Sequence, residues 1–128
     1  MTDLTVDSTA REMVAAIHGQ TISARELLDL HLARIGEHNR ELKAIVSLDG
    51  QRAWDGAAAA DELTASGVET GPLHGLPFAF KDTHNAAGWR TTYGSLLYAD
   101  HVPDRDDLIV ERIRAAGVVT IGKTNVPE

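Results

Sequence analysis

Apolar residues along this chain repeat first with a helical period and later in short strand-like runs. Thr9-Ala-Arg-Glu12 has the form of a capping box, in which a hydroxyl and a glutamate satisfy orphan N–H groups at a helix start. Met13, Ala16 and Ile17 follow as an apolar stripe, and Gly19 predicts a stop. Ser23-Ala-Arg-Glu26 repeats the signature, with Ile22 placed to staple onto Leu27. Leu28, Leu32 and Ile35 continue at helical spacing, and the polar run Glu37-His-Asn-Arg40 closes that helix. Ala44 to Leu48 reads as a short strand. Asp49-Gly50 then opens an alanine-rich helix from Gln51 to about Ala65, stopped at Ser66-Gly67. Small residues at 53, 57 and 60 suit close packing, and Trp54 suits core or cover rather than a ligand platform.

The second half changes period. Gly71-Pro72 and Gly75 make a turn-rich entry to Leu76, Phe78, Ala79 and Phe80, a run that predicts a buried strand ending at Lys81-Asp82. Periodicity is lost from Asp82 to about Tyr93. Asp104 to Ala116 reads as a helix, with Asp106 and Asp107 at its positive end, Arg112 and Arg114 at its negative end and Gly117 as the stop. Leu108, Ile109, Ile113 and Ala116 are the expected buried side. Val118 to Ile121 follows as an apolar strand, so strand, helix and strand make a βαβ crossover over about residues 78–121 with its two strands parallel. Asn125-Val-Pro-Glu128 has the N-cap, early proline and N3 glutamate of a helix about to begin. The fold class is α/β, helices packed on a mixed sheet, with its last strand at an exposed edge. A sheet left open in that way is the front portion of something larger.

Composition narrows the function. The 128 residues fit one domain, and 43 % hydrophobic with 24 % charged residues is a globular balance. A net charge of −7 argues against nucleic-acid binding. The chain has six histidines, no H-x-x-x-H pair and no cysteine, so neither a metal nor another cofactor is expected. His31 and His38, seven apart, share a helix face and read as half-exposed without a third ligand. The acidic start lacks a signal-peptide layout and no window approaches a membrane span, which predicts a cytoplasmic protein with no membrane partner.

Lys81 is the side chain to weigh for chemistry. A lysine closing an apolar strand has two readings. It either snorkels to water or pairs with Asp82, or it is stripped of water so that it is neutral near pH 7. A shift of about three units from ~10.4 needs roughly 4 kcal/mol of disfavoured charge. Thr91, Thr92, Gly94 and Ser95 follow in a loop leaving the strand's C-terminal end, where α/β proteins commonly bind ligands; ordinary turn chemistry is the other reading of those residues. Gly117-Val-Val-Thr-Ile-Gly-Lys-Thr124 satisfies the P-loop pattern letter for letter. A helix precedes its first glycine, however, and Val-Val-Thr-Ile is itself the strand, so those N–H groups belong to a sheet ladder and not to a phosphate cradle.

Four segments, in order, resemble the amidase signature family: Gly71-Pro-Leu-His-Gly-Leu-Pro-Phe-Ala-Phe-Lys-Asp82, Thr91-Thr-Tyr-Gly-Ser95, the Asp107-x-x-Val-x-x-Ile-x-x-Ala-Gly117 helix and Ile121-Gly-Lys-Thr-Asn125. The resemblance implies a mixed sheet wrapped in helices and amide hydrolysis by a Ser–cis-Ser–Lys triad. Lys81 is then the general base, neutral when it accepts a proton relayed from the nucleophilic serine. It further implies that residues 1–70 are a mainly helical lead-in and 71–128 the start of the core of one amidase domain. The family's two serines and its oxyanion hole lie in a glycine-rich stretch downstream of Gly-Lys-Thr-Asn. Serines 8, 23, 47, 66 and 95 have no such context, so the 128 residues alone are expected to hydrolyse nothing. The implied partner is a small-molecule amide, with room for a homodimer at full length. The amidase subunit of a tRNA-dependent amidotransferase, which takes ammonia from glutamine, is the sister reading, although that class tends to carry Asn-Met-Asp-Glu where Asn125-Val-Pro-Glu128 stands. A non-catalytic product of a truncated gene is the third.

Overall fold

Two capping boxes set the chain's first turns in the computed structural model, which describes residues 3–127. Helix α1 spans Ala10–His18 and helix α2 spans Ala24–Leu42. The Thr9 N–H donates to Glu12 Oε2 at 2.7 Å and the Ser23 N–H to Glu26 Oε2 at 2.8 Å. Those backbone N–H groups hold both carboxyls below the usual carboxylate range. Helix α2 runs past the polar stretch expected to close it. Its stop is Lys43 in the left-handed region (φ 51°), and Asn39 holds the turn by accepting from the Ile45 N–H at 2.8 Å and donating to its carbonyl at 3.0 Å. No glycine marks that stop.

Strand β1 (Ile45–Leu48) leads into helix α3 (Gly50–Ser66), whose Ala53, Ala57 and Ala60 are buried as their small size predicts. Trp54 is surface cover, with Arg25 over its ring. Strand β2 (Pro77–Lys81), helix α4 (Leu108–Ala115) and strand β3 (Val119–Thr124) complete the chain. The sheet order is β1-β3-β2, with β2 and β3 parallel and β1 antiparallel to β3. The βαβ crossover is therefore present, but β3 is the central strand and not the exposed edge. Its place there depends on Gly122, where a Cβ would overlap the Ser47 carbonyl of β1.

Apolar residues collect on the two faces of this sheet. Met13, Ile17, Leu27, Leu28, the three buried alanines of α3, Val119 and Ile121 form one core. Phe80, Ala86, Trp89 and Val110 form the second, with Phe78, Ile113 and Val118 against it. Helix α4 departs from expectation in two ways. It begins at Leu108, because the carboxylates of Asp106 and Asp107 accept from the loop N–H groups of Ala87 (2.6 Å) and Asn85 (2.8 Å). Its buried side is Val110 and Ile113, while Leu108 and Ile109 face solvent. Asn125–Pro127 is not helical, and Glu128 lies outside the described residues.

Candidate active site

The site stands where β2 and β3 end. Sheet alternation alone would send Val119, Ile121 and Lys123 to one face. The register against β2 instead pairs Phe78 with Thr120, Ala79 with Gly122 and Phe80 with Lys123, leaving Ile121 as an extra residue. That bulge returns Lys123 to the face of Phe80, inside the protein.

There Lys123 is fully buried, as is Asp82 at 1 % exposure. The Lys123 ammonium donates to the His84 carbonyl at 2.8 Å, to Thr91 Oγ1 at 2.8 Å and to Asp82 Oδ1 at 3.3 Å. Three N–H bonds meet three acceptors, so nothing is left for a substrate. The Thr91 hydroxyl in turn donates to the Trp89 carbonyl at 3.1 Å. The other Asp82 oxygen accepts from the Thr92 hydroxyl and from the Thr92 N–H at 3.2 Å. Desolvation pushes the Lys123 ammonium below its ordinary pKa, against the pull of the Asp82 charge.

Lys81 is the reverse case. It closes β2 opposite Thr124, its side chain is exposed, and its ammonium has no hydrogen-bond or ion-pair partner among the described residues. Of the two readings of Lys81, these residues show the side chain open to water; the water-stripped lysine among them is Lys123, and Asp82 pairs with it rather than with Lys81. The sequence carries a signal for this, since Lys123 also follows an apolar strand run. Gly122-Lys-Thr124 lies within β3 and forms no phosphate cradle, yet the lysine inside that decoy motif is the buried one.

Thr91 and Thr92 line the buried pair, and Gly94 and Ser95 do local turn work, Ser95 Oγ accepting from the Leu97 N–H at 3.2 Å. Each of the chain's serines is hydrogen-bonded elsewhere and none meets Lys81: Ser8 with Thr5, Ser23 with Glu26, Ser47 with Arg90 and Ser66 with Leu63. His31 bonds its own helix at the Leu27 carbonyl, 2.8 Å away. His74, to which the sequence assigns no role, is buried, with Nε2 2.9 Å from Thr64 Oγ1 and 3.1 Å from the Ala60 carbonyl. No helix among the described residues is long and apolar enough to cross a membrane.

The model for the amidase family matches residues 26–128. The chain belongs to the amidase signature family. A glutamyl-tRNA(Gln) amidotransferase component from Cupriavidus necator is 43 % identical over 118 residues, covering 92 % of this chain and 23 % of that protein. Among solved structures, the peptide amidase of Stenotrophomonas maltophilia superposes with a TM-score of 0.87 at 34 % identity, over 94 % of this chain and 25 % of that one. A bacterial aryl acylamidase of the amidase signature enzymes superposes with a TM-score of 0.86 at 25 % identity, over the same shares. The chain thus spans about a quarter of the length of the relatives it matches.

Proposed function

We propose that this chain is the lysine-bearing N-terminal part of an amidase that hydrolyses carboxylic amides to acid and ammonia or amine. Lys81 is the general base, and both serines of the Ser–cis-Ser–Lys triad come from sequence beyond Glu128. The observation that carries this reading is an exposed amine, unpaired among the described residues, at the C-terminal end of a strand parallel to its neighbour and inside the segment matched to the family. Serines otherwise engaged throughout the chain support the second half of it. Covering by further chain then supplies the desolvation that a neutral lysine needs. Leu96 and Leu97, 95 % and 92 % exposed on the loop that follows Lys81, are apolar surface for such a cover.

The test is hydrolysis of a simple aliphatic or aryl amide by the complete polypeptide. Lys81→Ala is expected to lower kcat by about 10²–10⁴-fold, the usual worth of a positioned base. Full activity in that variant would overturn the assignment. The 128 residues alone are expected to show no turnover.

One observation favours a second reading. The curated relatives include components of glutamyl-tRNA(Gln) amidotransferases at 40–44 % identity over more than nine-tenths of this chain. Against it, Val126-Pro127 stands where Met-Asp is usual in that class. Ammonia release from glutamine in preference to simple amides would select the amidotransferase reading.

A further inference from the structure

Taking Lys81 as the base, we infer that the buried Asp82–Lys123 pair is a positioning element that holds the end of β2 and the Thr91–Ser95 segment as one unit.

Asp82 is the residue directly after Lys81, and each of its polar groups is tied down. Its N–H donates to the Thr124 carbonyl of β3 at 2.9 Å, and its carbonyl accepts from the Tyr93 N–H at 2.9 Å. Its carboxylate holds both the N–H and the hydroxyl of Thr92. Lys123 binds that carboxylate from the neighbouring strand and reaches across the loop to His84 and Thr91. The turn between is closed by the His84 N–H donating to the Lys81 carbonyl at 3.0 Å. The Lys81 backbone is therefore fixed on both sides, while its side chain is exposed and has no partner among the described residues.

A pair this dry is an inefficient way to hold a core together. Apolar residues of similar volume commonly do as well or better, because both charges must be desolvated. What an apolar core lacks is direction. The pair points several hydrogen bonds at once along fixed lines, locking loop to strand in one geometry. Catalysis by a positioned lysine depends on such geometry, since small displacements cost rate steeply.

The experiment compares Lys81→Ala with the double variant Asp82→Asn/Lys123→Met, which removes both charges together, in the complete polypeptide. Circular dichroism and hydrogen exchange are read alongside kinetics. We expect the folded double variant to lose about tenfold or more in kcat with KM within about twofold, the pattern of a transition-state effect. Exchange should quicken across residues 82–95 and leave α1–α3 unchanged. Wild-type kcat in a fully folded double variant would overturn the inference and reduce the pair to scaffolding. Should the double variant fail to fold, Thr91→Val replaces it, removing one acceptor of Lys123 without changing shape. The same kcat loss, smaller in size, then supports the inference, and an unchanged kcat rejects it. Activity surviving Lys81→Ala would instead sink the assignment of the base itself, which keeps the two failures distinct.

Discussion

Lys81 ends β2 and Lys123 stands one residue before the end of its parallel neighbour β3, each after an apolar run, yet their surroundings are opposite. Lys81 faces water without a partner among the described residues; Lys123 is sealed among Asp82, Thr91 and the His84 carbonyl. A one-residue bulge at Ile121 makes the difference, because it turns Lys123 toward the face of Phe80. The comparison teaches that an apolar strand does not by itself dry the lysine at its end. What dries a lysine is a set of acceptors brought from other elements, here the loop between Asp82 and Thr92.

That contrast can be broken by substitution. Lys123→Met leaves the Asp82 carboxylate buried without its cation, and urea unfolding should show a loss of about 3–5 kcal/mol. Gly122→Ala should cost at least about 2 kcal/mol by the same measurement, since its Cβ meets the Ser47 carbonyl and pushes β1 from the central strand. Lys81→Met should lie within about ±0.5 kcal/mol of the parent, as an exposed side chain without partners. Equal losses for the two lysine variants would erase the distinction.

Acidity sharpens the contrast further. Because the folded Lys123 releases its proton below the ordinary value of 10.5, the unfolded chain binds more protons between the two pKa values. Stability should therefore rise with pH through the window just below 10.5, and this increment should fall away as pH drops through the folded pKa. The groups facing Lys123 in that window are Asp82, with Asp107 favouring its charge and Arg114 opposing it. Urea titrations between pH 8 and 11 (roughly the range in which lysines titrate) should show the rise in the parent and not in Asp82→Asn/Lys123→Met.

Much of the fold was legible because its signals are local. Two capping boxes, an alanine face and the strand–helix–strand order are written in neighbouring residues, and the structure carries all of them. What escaped depends on distant partners. Helix α2 stops through a left-handed Lys43 steadied by Asn39 across the turn, and helix α4 starts late because Asp106 and Asp107 serve the loop before it. The centrality of β3 required an antiparallel partner from more than seventy residues upstream. In the site, the place of Lys81 at the end of its strand was readable, while its spacing left an exposed and a dry side chain both open. The buried partner of Asp82 was hidden by a misleading motif and a bulge that no spacing announces.

The most direct measurement is an NMR study of the chain with lysine side-chain nitrogens labelled, where only Lys43, Lys81 and Lys123 contribute. One ammonium, assigned to Lys123 by its loss in Lys123→Met, should show slowly exchanging protons at neutral pH, while the Lys81 amine exchanges with solvent at once. Rapid exchange at both, or protection at Lys81 with Lys123 open, would contradict the account.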